Sequence, residues 1–300
     1  MVTWVLLAFL SAFLLGCYDI CKKMSLNNNA VIPVLFFNTL ISSLIFVPFI
    51  LLSYTTNVLD GTMFHVPHVS LKMHGLVMLK SIIVISSWNA GYYSVKNLPL
   101  TITGPIKATQ PVITLTGALL VFSERLNLYQ WTGVFLAILS FYMLSASGKK
   151  EGIRFSHNKW IFYAVLSVIL GAVSGLYDKY LMGFSDVMTV QVWSNIYQLL
   201  IMIPILSLLW YPGRKTTTPY KWRWSILFVS LFLVMADWIY FYALGLPDAM
   251  ISIVSMIRRS SVLVTFMAGA MFFHEKNLKN KAFDLLLALL GMIFLYLGTR

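Results

Sequence analysis

Acidic residues are scarce in this chain: Asp and Glu number 10 among 300 residues. Charged residues of either sign make up 11%, against about 25% in a soluble domain. That shortage excludes a soluble globular protein. The 59% apolar content excludes intrinsic disorder. Cysteine is scarcer still. Cys17 and Cys21 lie four apart in the first apolar run, with no CxxC and no Cys/His cluster of metal-ligand spacing. They read as small packing residues, and neither a metal nor another cofactor is expected. No G-x-x-x-x-G-K-[ST] run occurs, so nothing suggests ATP hydrolysis. What is abundant is apolar sequence and positive charge. The 22 Lys and Arg give a net charge of +12. On so apolar a chain this points to basic loops beside a membrane, not to nucleic acid.

A helix needs about 20 apolar residues to cross a bilayer. Ten stretches qualify: 2–24, 30–54, 71–95, 99–122, 127–147, 158–182, 187–211, 222–246, 248–273 and 278–298. The first lacks a basic leader and a small-residue cleavage site, and reads as a retained helix. The longer connections are Thr55–Ser70 with its Asp-Gly turn, the basic segment 148–157, and Pro212–Lys221 with Pro and Gly breakers. None could hold a soluble catalytic domain. The expectation is an all-α membrane protein with the lipid bilayer as its solvent.

The chain also repeats itself. Gly16-Cys17-Tyr18-Asp19 recurs as Gly175-Leu176-Tyr177-Asp178. Asn38 before Pro48 resembles Asn195 before Pro204. Trp88 and Tyr92 recur as Trp238 and Tyr242, each pair followed by Leu-Pro (Leu98-Pro99, Leu246-Pro247). Lys107 matches Arg258, and Phe122-Ser123-Glu124 matches Phe273-His274-Glu275. The matches keep their order. They divide the chain into repeats 3–147 and 158–298 joined by the linker 148–157. Five helices per repeat is an odd number, so the second copy enters the membrane inverted. Inverted repeats are a recurring build of secondary transporters, because near-equivalent halves can exchange conformations about a central site.

The 5+5 arrangement resembles the EamA branch of the drug/metabolite transporter superfamily. The resemblance is carried by the Gly-x-Tyr-Asp late in each first helix and by Pro111-Val112. It is carried also by the acidic turns Ser123-Glu124-Arg125-Leu126 and His274-Glu275-Lys276-Asn277-Leu278. Arg258-Arg259-Ser260-Ser261-Val262 departs from the pattern, standing where Pro is usual. The resemblance implies a ten-helix carrier of small metabolites, with its site between the halves, in the bacterial cytoplasmic membrane.

Charges near the bilayer centre cost roughly 2.5–3.5 kcal/mol each and are functional candidates by default. Lys107, Arg258 and Arg259 lie too deep in their spans to reach an interface. Asp19, Asp178 and Asp237 are the acidic set. Asp237 has no counterpart in the first repeat, where Ser87 precedes Trp88. These carboxylates either neutralise the deep cations in structural pairs, or bind a substrate ammonium or a coupling proton. Glu124, Glu275 and Asp284 read as structural acids at helix starts. Trp88, Asn89 and Tyr92, Trp193, Asn195 and Tyr197, and Trp238, Tyr240 and Tyr242 could line a cavity, as could Asn38. Lipid-facing packing is the plain alternative for the aromatics, and helix–helix hydrogen bonding for the amides. No mid-span histidine is available as a base for Ser174, and no Gly-x-Gly-Asp accompanies the two Tyr-Asp pairs. No catalytic residue and no enzyme activity are expected.

Odd-numbered connections carry most of the positive charge. The positive-inside rule then places them in the cytoplasm and both termini outside, whereas the resemblance implies both termini inside. The leading expectation is a secondary transporter of a small molecule working by alternating access. The two repeats would rock about a central cavity, with an amino acid or similar zwitterion or anion first among substrates. A non-transporting receptor or scaffold, or a channel, is the alternative. The sequence leaves the oligomeric state open.

Overall fold

The bilayer interior offers backbone groups no partners but each other, so apolar runs of this length fold as helices. A computed structural model describes residues 2–110, 112–113, 127–149, 157–182, 185–245, 257–273, 275 and 278–298. Pro111, Gly117, the 122–126 turn, most of the 148–157 linker, Leu246-Pro247, His274 and Lys276-Asn277 lie outside the described residues. So do parts of the fourth and ninth spans.

Among the described residues the protein is all-α, with ten α-helices and no strand. They are α1 (Val2–Leu26), α2 (Val31–Thr55), α3 (Leu71–Asn97), α4 (Leu100–Ala108), α5 (Leu128–Lys149), α6 (Lys159–Met182), α7 (Val187–Ile205), α8 (Trp224–Gly245), α9 (Ser261–Met271) and α10 (Leu278–Leu297). Five helical stretches among the described residues are long and apolar enough to cross a membrane: Trp4–Leu26, Val31–Thr55, Leu71–Asn97, Lys159–Asp178 and Val187–Trp210. Local chemistry sets several starts. Ser70 caps α3 by accepting from the Met73 amide at 3.3 Å. Asp186 caps α7 by accepting from the Thr189 amide at 2.8 Å. Pro204 removes one ladder donor near the end of α7, and a π-turn (Leu206–Trp210) follows.

Helix α1 continues to Leu26, two residues past the 2–24 run, and α3 continues to Asn97, two past the 71–95 run, so Lys22 and Lys23 lie within the last two turns of α1. Lys22 is buried. Lys23 donates to the Val95 and Leu98 carbonyls at 2.6 Å each, satisfying acceptors at the end of α3.

The packing mixes the repeats. The most extensive helix contacts are α1 on α8, α5 on α10 and α3 on α6, and each joins one repeat to the other. Exchanging the repeats turns the α1–α8 contact into the α6–α3 contact, and leaves α2–α7, α4–α9 and α5–α10 unchanged. That is the pattern of a pseudo-twofold axis. Serine-to-carbonyl bonds tie these seams, as suits helices in a medium that supplies no water. Ser11 donates to Ala236 O at 2.7 Å, Ser87 to Ser167 O at 2.8 Å, Ser43 to Asn195 O at 2.9 Å and Ser140 to Asp284 O at 2.6 Å. At Gly16 the approach of α9 is so close that a Cβ would stand 2.5 Å from Val264 Cβ.

Helices therefore sort into two bundles that differ from the two repeats. One holds α1, α2, α8 and α9, and the other α3, α4, α6 and α7. They meet chiefly along α2–α7 and α4–α9.

Candidate functional site

The deep charges form a band across the interior. At one end, Asp19 of α1 is buried, and its Oδ1 accepts from Lys22 Nζ at 2.5 Å and from Lys107 Nζ at 2.7 Å. The two lysines differ in surroundings. The Lys22 ammonium sits over the Tyr18 ring at 4.3 Å and near the Tyr92 ring at 5.2 Å. Its side chain is 4% exposed, whereas that of Lys107 is 30% exposed. Lys22 is fixed on three sides, and Lys107 is open on one.

At the other end, Asp178 of α6 pairs with Lys80 of α3 at 2.8 Å. Asp237 of α8 pairs with Arg258, whose guanidinium stacks over Tyr240 at 4.3 Å. The ends are continuous. Asp178 lies within electrostatic reach of Asp237 and Arg258, and Arg259 within reach of Asp19.

Arg259 is the exception in this network. It is half-buried, and among the described residues it has no hydrogen bond and no ion pair. The band thus holds five cations, Lys22, Lys80, Lys107, Arg258 and Arg259, against three carboxylates. In a low dielectric such an excess is held by an anion or it costs stability.

The other candidates divide. Trp88 packs beside Tyr18, Val229 and Leu233, and Tyr92 is fully buried next to Lys22, so both border the Asp19 cluster. Asn89, one residue on, is half-buried and makes no hydrogen bond among the described residues. Trp238 stacks between Phe64 of the 56–70 connection, centroids 5.5 Å apart, and Tyr242 at 5.6 Å. It borders Asp237. Asn38 is fully buried between α2 and α8, its Oδ1 accepting from Ser230 Oγ at 3.0 Å. Its amide nitrogen has no partner among the described residues.

Two candidates lie on α7, where it packs against α3. Trp193 meets His74 edge-on at 4.6 Å, beside Tyr197, whose hydroxyl and His74 Nδ1 are 2.8 Å apart. Asn195 donates to Gln191 O of its own helix at 2.8 Å. Neither joins the charged band by a contact described here.

Three participants were not evident as such in the sequence. Lys22 sits near the end of the first apolar run, where a charge reads as flanking a membrane. Lys80 lies within a span, but its partner is a repeat away in the chain. Glu275 precedes α10, yet its carboxylate accepts from the amides of Leu100 and Thr101 at 2.7 and 2.8 Å and from the Thr101 hydroxyl. It therefore caps α4, and Lys281 donates to the same Thr101 hydroxyl at 3.0 Å.

Among the described residues no group of three or more His, Cys, Asp or Glu could hold a metal ion. Comparison with known proteins gives a consistent picture. The model of the EamA-like transporter family matches residues 2–146 and 158–297. A crystal structure described only as that of a protein is similar over 100% of this chain and 99% of its own length, with 12% identity and a TM-score of 0.60. At that identity the likeness is one of fold. None of the curated proteins matches.

Proposed function

The chain belongs to the EamA-like transporter family, and from that premise we propose that it is a secondary transporter of a small metabolite bearing an anionic group. The observation that carries this reading is Arg259, a guanidinium at membrane depth with no ion pair or hydrogen bond among the described residues. Lys107 supports it, being the more open of two lysines that share one oxygen of Asp19. Each of the three deep carboxylates already holds a cation. An anionic group therefore finds free charge in this band, and a substrate ammonium does not. This favours an anion over a zwitterion.

Alternating access in this reading is a rocking of the swapped bundles rather than of the sequence repeats. The support is packing: α1 and α8 bury against each other across the repeat boundary, as do α3 and α6. The described ion pair that crosses between bundles is Asp19–Lys107, from α1 to α4. Lys80–Asp178 and Asp237–Arg258 each stay inside one bundle. A substrate anion competing with Asp19 for Lys107 would loosen the crossing pair, which links binding to movement.

The test is uptake of a panel of labelled small anions, zwitterions and cations into proteoliposomes holding the purified full chain. The expected result is saturable uptake of an anion that falls at least tenfold in Arg259→Ala. Wild-type uptake rates in folded Arg259→Ala and Lys107→Ala would overturn the assignment of the site.

A further inference from the structure

We infer that the transported species carries two negative charges, as a small dicarboxylate or a phosphate group does. The inference rests on the anion reading above and deepens it by charge count.

Five cations and three carboxylates occupy the band. Two pairs are one-to-one, Lys80 with Asp178 and Arg258 with Asp237. The third carboxylate serves two lysines through a single oxygen, so one lysine is uncompensated. Arg259 is the second surplus charge, and it lies within electrostatic reach of the same Asp19. The surplus of two therefore belongs to the band as a whole.

Among the described residues, Glu275, Asp60 and Asp186 have partners outside the band. At the start of α4, Lys23 lies within electrostatic reach of Glu275, and Lys281 donates to Thr101 beside it. Asp60 sits in the 56–70 connection and Asp186 caps α7. Glu124, Glu151 and Asp248 lie outside the described residues. In the sequence they fall in the turn after the fourth span, in the linker, and at the first residue of the ninth span.

A zwitterion leaves both surplus charges in place, a monoanion leaves one, and a dianion leaves none. The donors fit the task. A guanidinium offers a planar fork that grips a carboxylate or phosphate through two parallel bonds, and an ammonium acts as a point charge. Of the two lysines, Lys22 is held against Tyr18 and Tyr92, which leaves Lys107 as the one free to turn.

The variants make the count testable without wrecking the cluster. Lys107→Gln leaves Asp19 with Lys22 as a one-to-one pair, and Arg259→Gln removes a cation that has no described partner. Each lowers the surplus from two to one. The probes are succinate, inorganic phosphate at alkaline pH where it is dianionic, acetate, and alanine. The readouts are thermal shift of the purified full chain and counterflow in proteoliposomes.

The expected result is half-saturation by succinate or phosphate at a concentration at least tenfold below that of acetate or alanine. That preference should collapse to less than threefold in either single variant. Succinate alone acting identifies a dicarboxylate, and phosphate alone identifies phosphate chemistry. Acetate equalling both dianions, with Arg259→Gln abolishing all binding, overturns the charge count and leaves the anion reading standing. Alanine acting best, or no anion binding at all, overturns both.

Discussion

Lys80 of the first repeat and Asp178 of the second meet at 2.8 Å. Strict repeat symmetry would give Asp178 to Arg258, as Asp19 goes to Lys107. Asp237, which has no acidic counterpart in the first repeat, takes Arg258 instead. Asp178 then finds its cation across the α3–α6 seam. One added carboxylate has changed the partner of another.

The Lys80–Asp178 pair should show energetic coupling. Lys80 is 10% exposed and Asp178 36%, so the effect lies below that of a fully buried pair. A double-mutant cycle with Lys80→Met and Asp178→Asn, read by thermal unfolding in detergent, should give about 0.5–3 kcal/mol. Additive single effects would show that the pair contributes nothing.

Asp19 should be far less tolerant. Asp19→Asn leaves Lys22 and Lys107 facing each other without a counter-charge. Removing one member of a buried ionic cluster costs about 3–5 kcal/mol. The expected outcome is a large drop in the folded, monodisperse fraction on size exclusion, partly rescued by adding Lys107→Gln. An unchanged elution profile would mean that Asp19 does not hold both lysines.

The two motif glycines should respond oppositely. A Cβ on Gly16 meets Val264 at 2.5 Å, whereas at Gly175 nothing lies within 4 Å among the described residues. Gly16→Ala overpacks the α1–α9 crossing and should destabilise by about 1–3 kcal/mol. Gly175→Ala gains helix propensity of about 1 kcal/mol and should be neutral or stabilising. Thermal melts of the two variants compare the positions directly, and equal responses would contradict the close approach at Gly16.

Glu275→Gln tests the cap on α4. The carboxylate accepts from two backbone amides, and a carboxamide has only one oxygen to offer them. A loss of about 1–2 kcal/mol is expected. Protection of the Leu100 and Thr101 amides in hydrogen exchange should fall with it. Unaltered protection at those two amides would argue against the cap.

Depth in the membrane was legible from the sequence because a charge inside an apolar run stands out. That is how Asp19, Asp178, Asp237, Lys107, Arg258 and Arg259 were recognisable as a set. Pairing was not legible, because it depends on which helices cross. Lys80 and Asp178 are 98 positions apart in the chain, and nothing local links them. Lys22 was hidden for another reason: a charge at the end of an apolar run looks like the start of a loop until a partner turns it inward. Trp193 matched its neighbours in residue type and span, and it packs with Tyr177 and Val77 and meets His74 edge-on. Glu275 signalled a helix N-terminus correctly, yet the sequence could not say that the terminus belonged to α4.

The uneven sharing of carboxylates has a consequence for the idle carrier. In perfectly matched inverted repeats, the two end states would be mirror exchanges of each other with equal free energy. Under the proposed rocking, Asp19 to Lys107 is an ionic latch between bundles. Its repeat counterpart, Asp178, is bound within its own bundle. In a carrier whose bundles rock, one end state is thus latched and the other is not. Each 1.4 kcal/mol of that difference shifts the resting populations about tenfold. An empty carrier of this kind waits facing one way, and its cargo is the key that releases the latch.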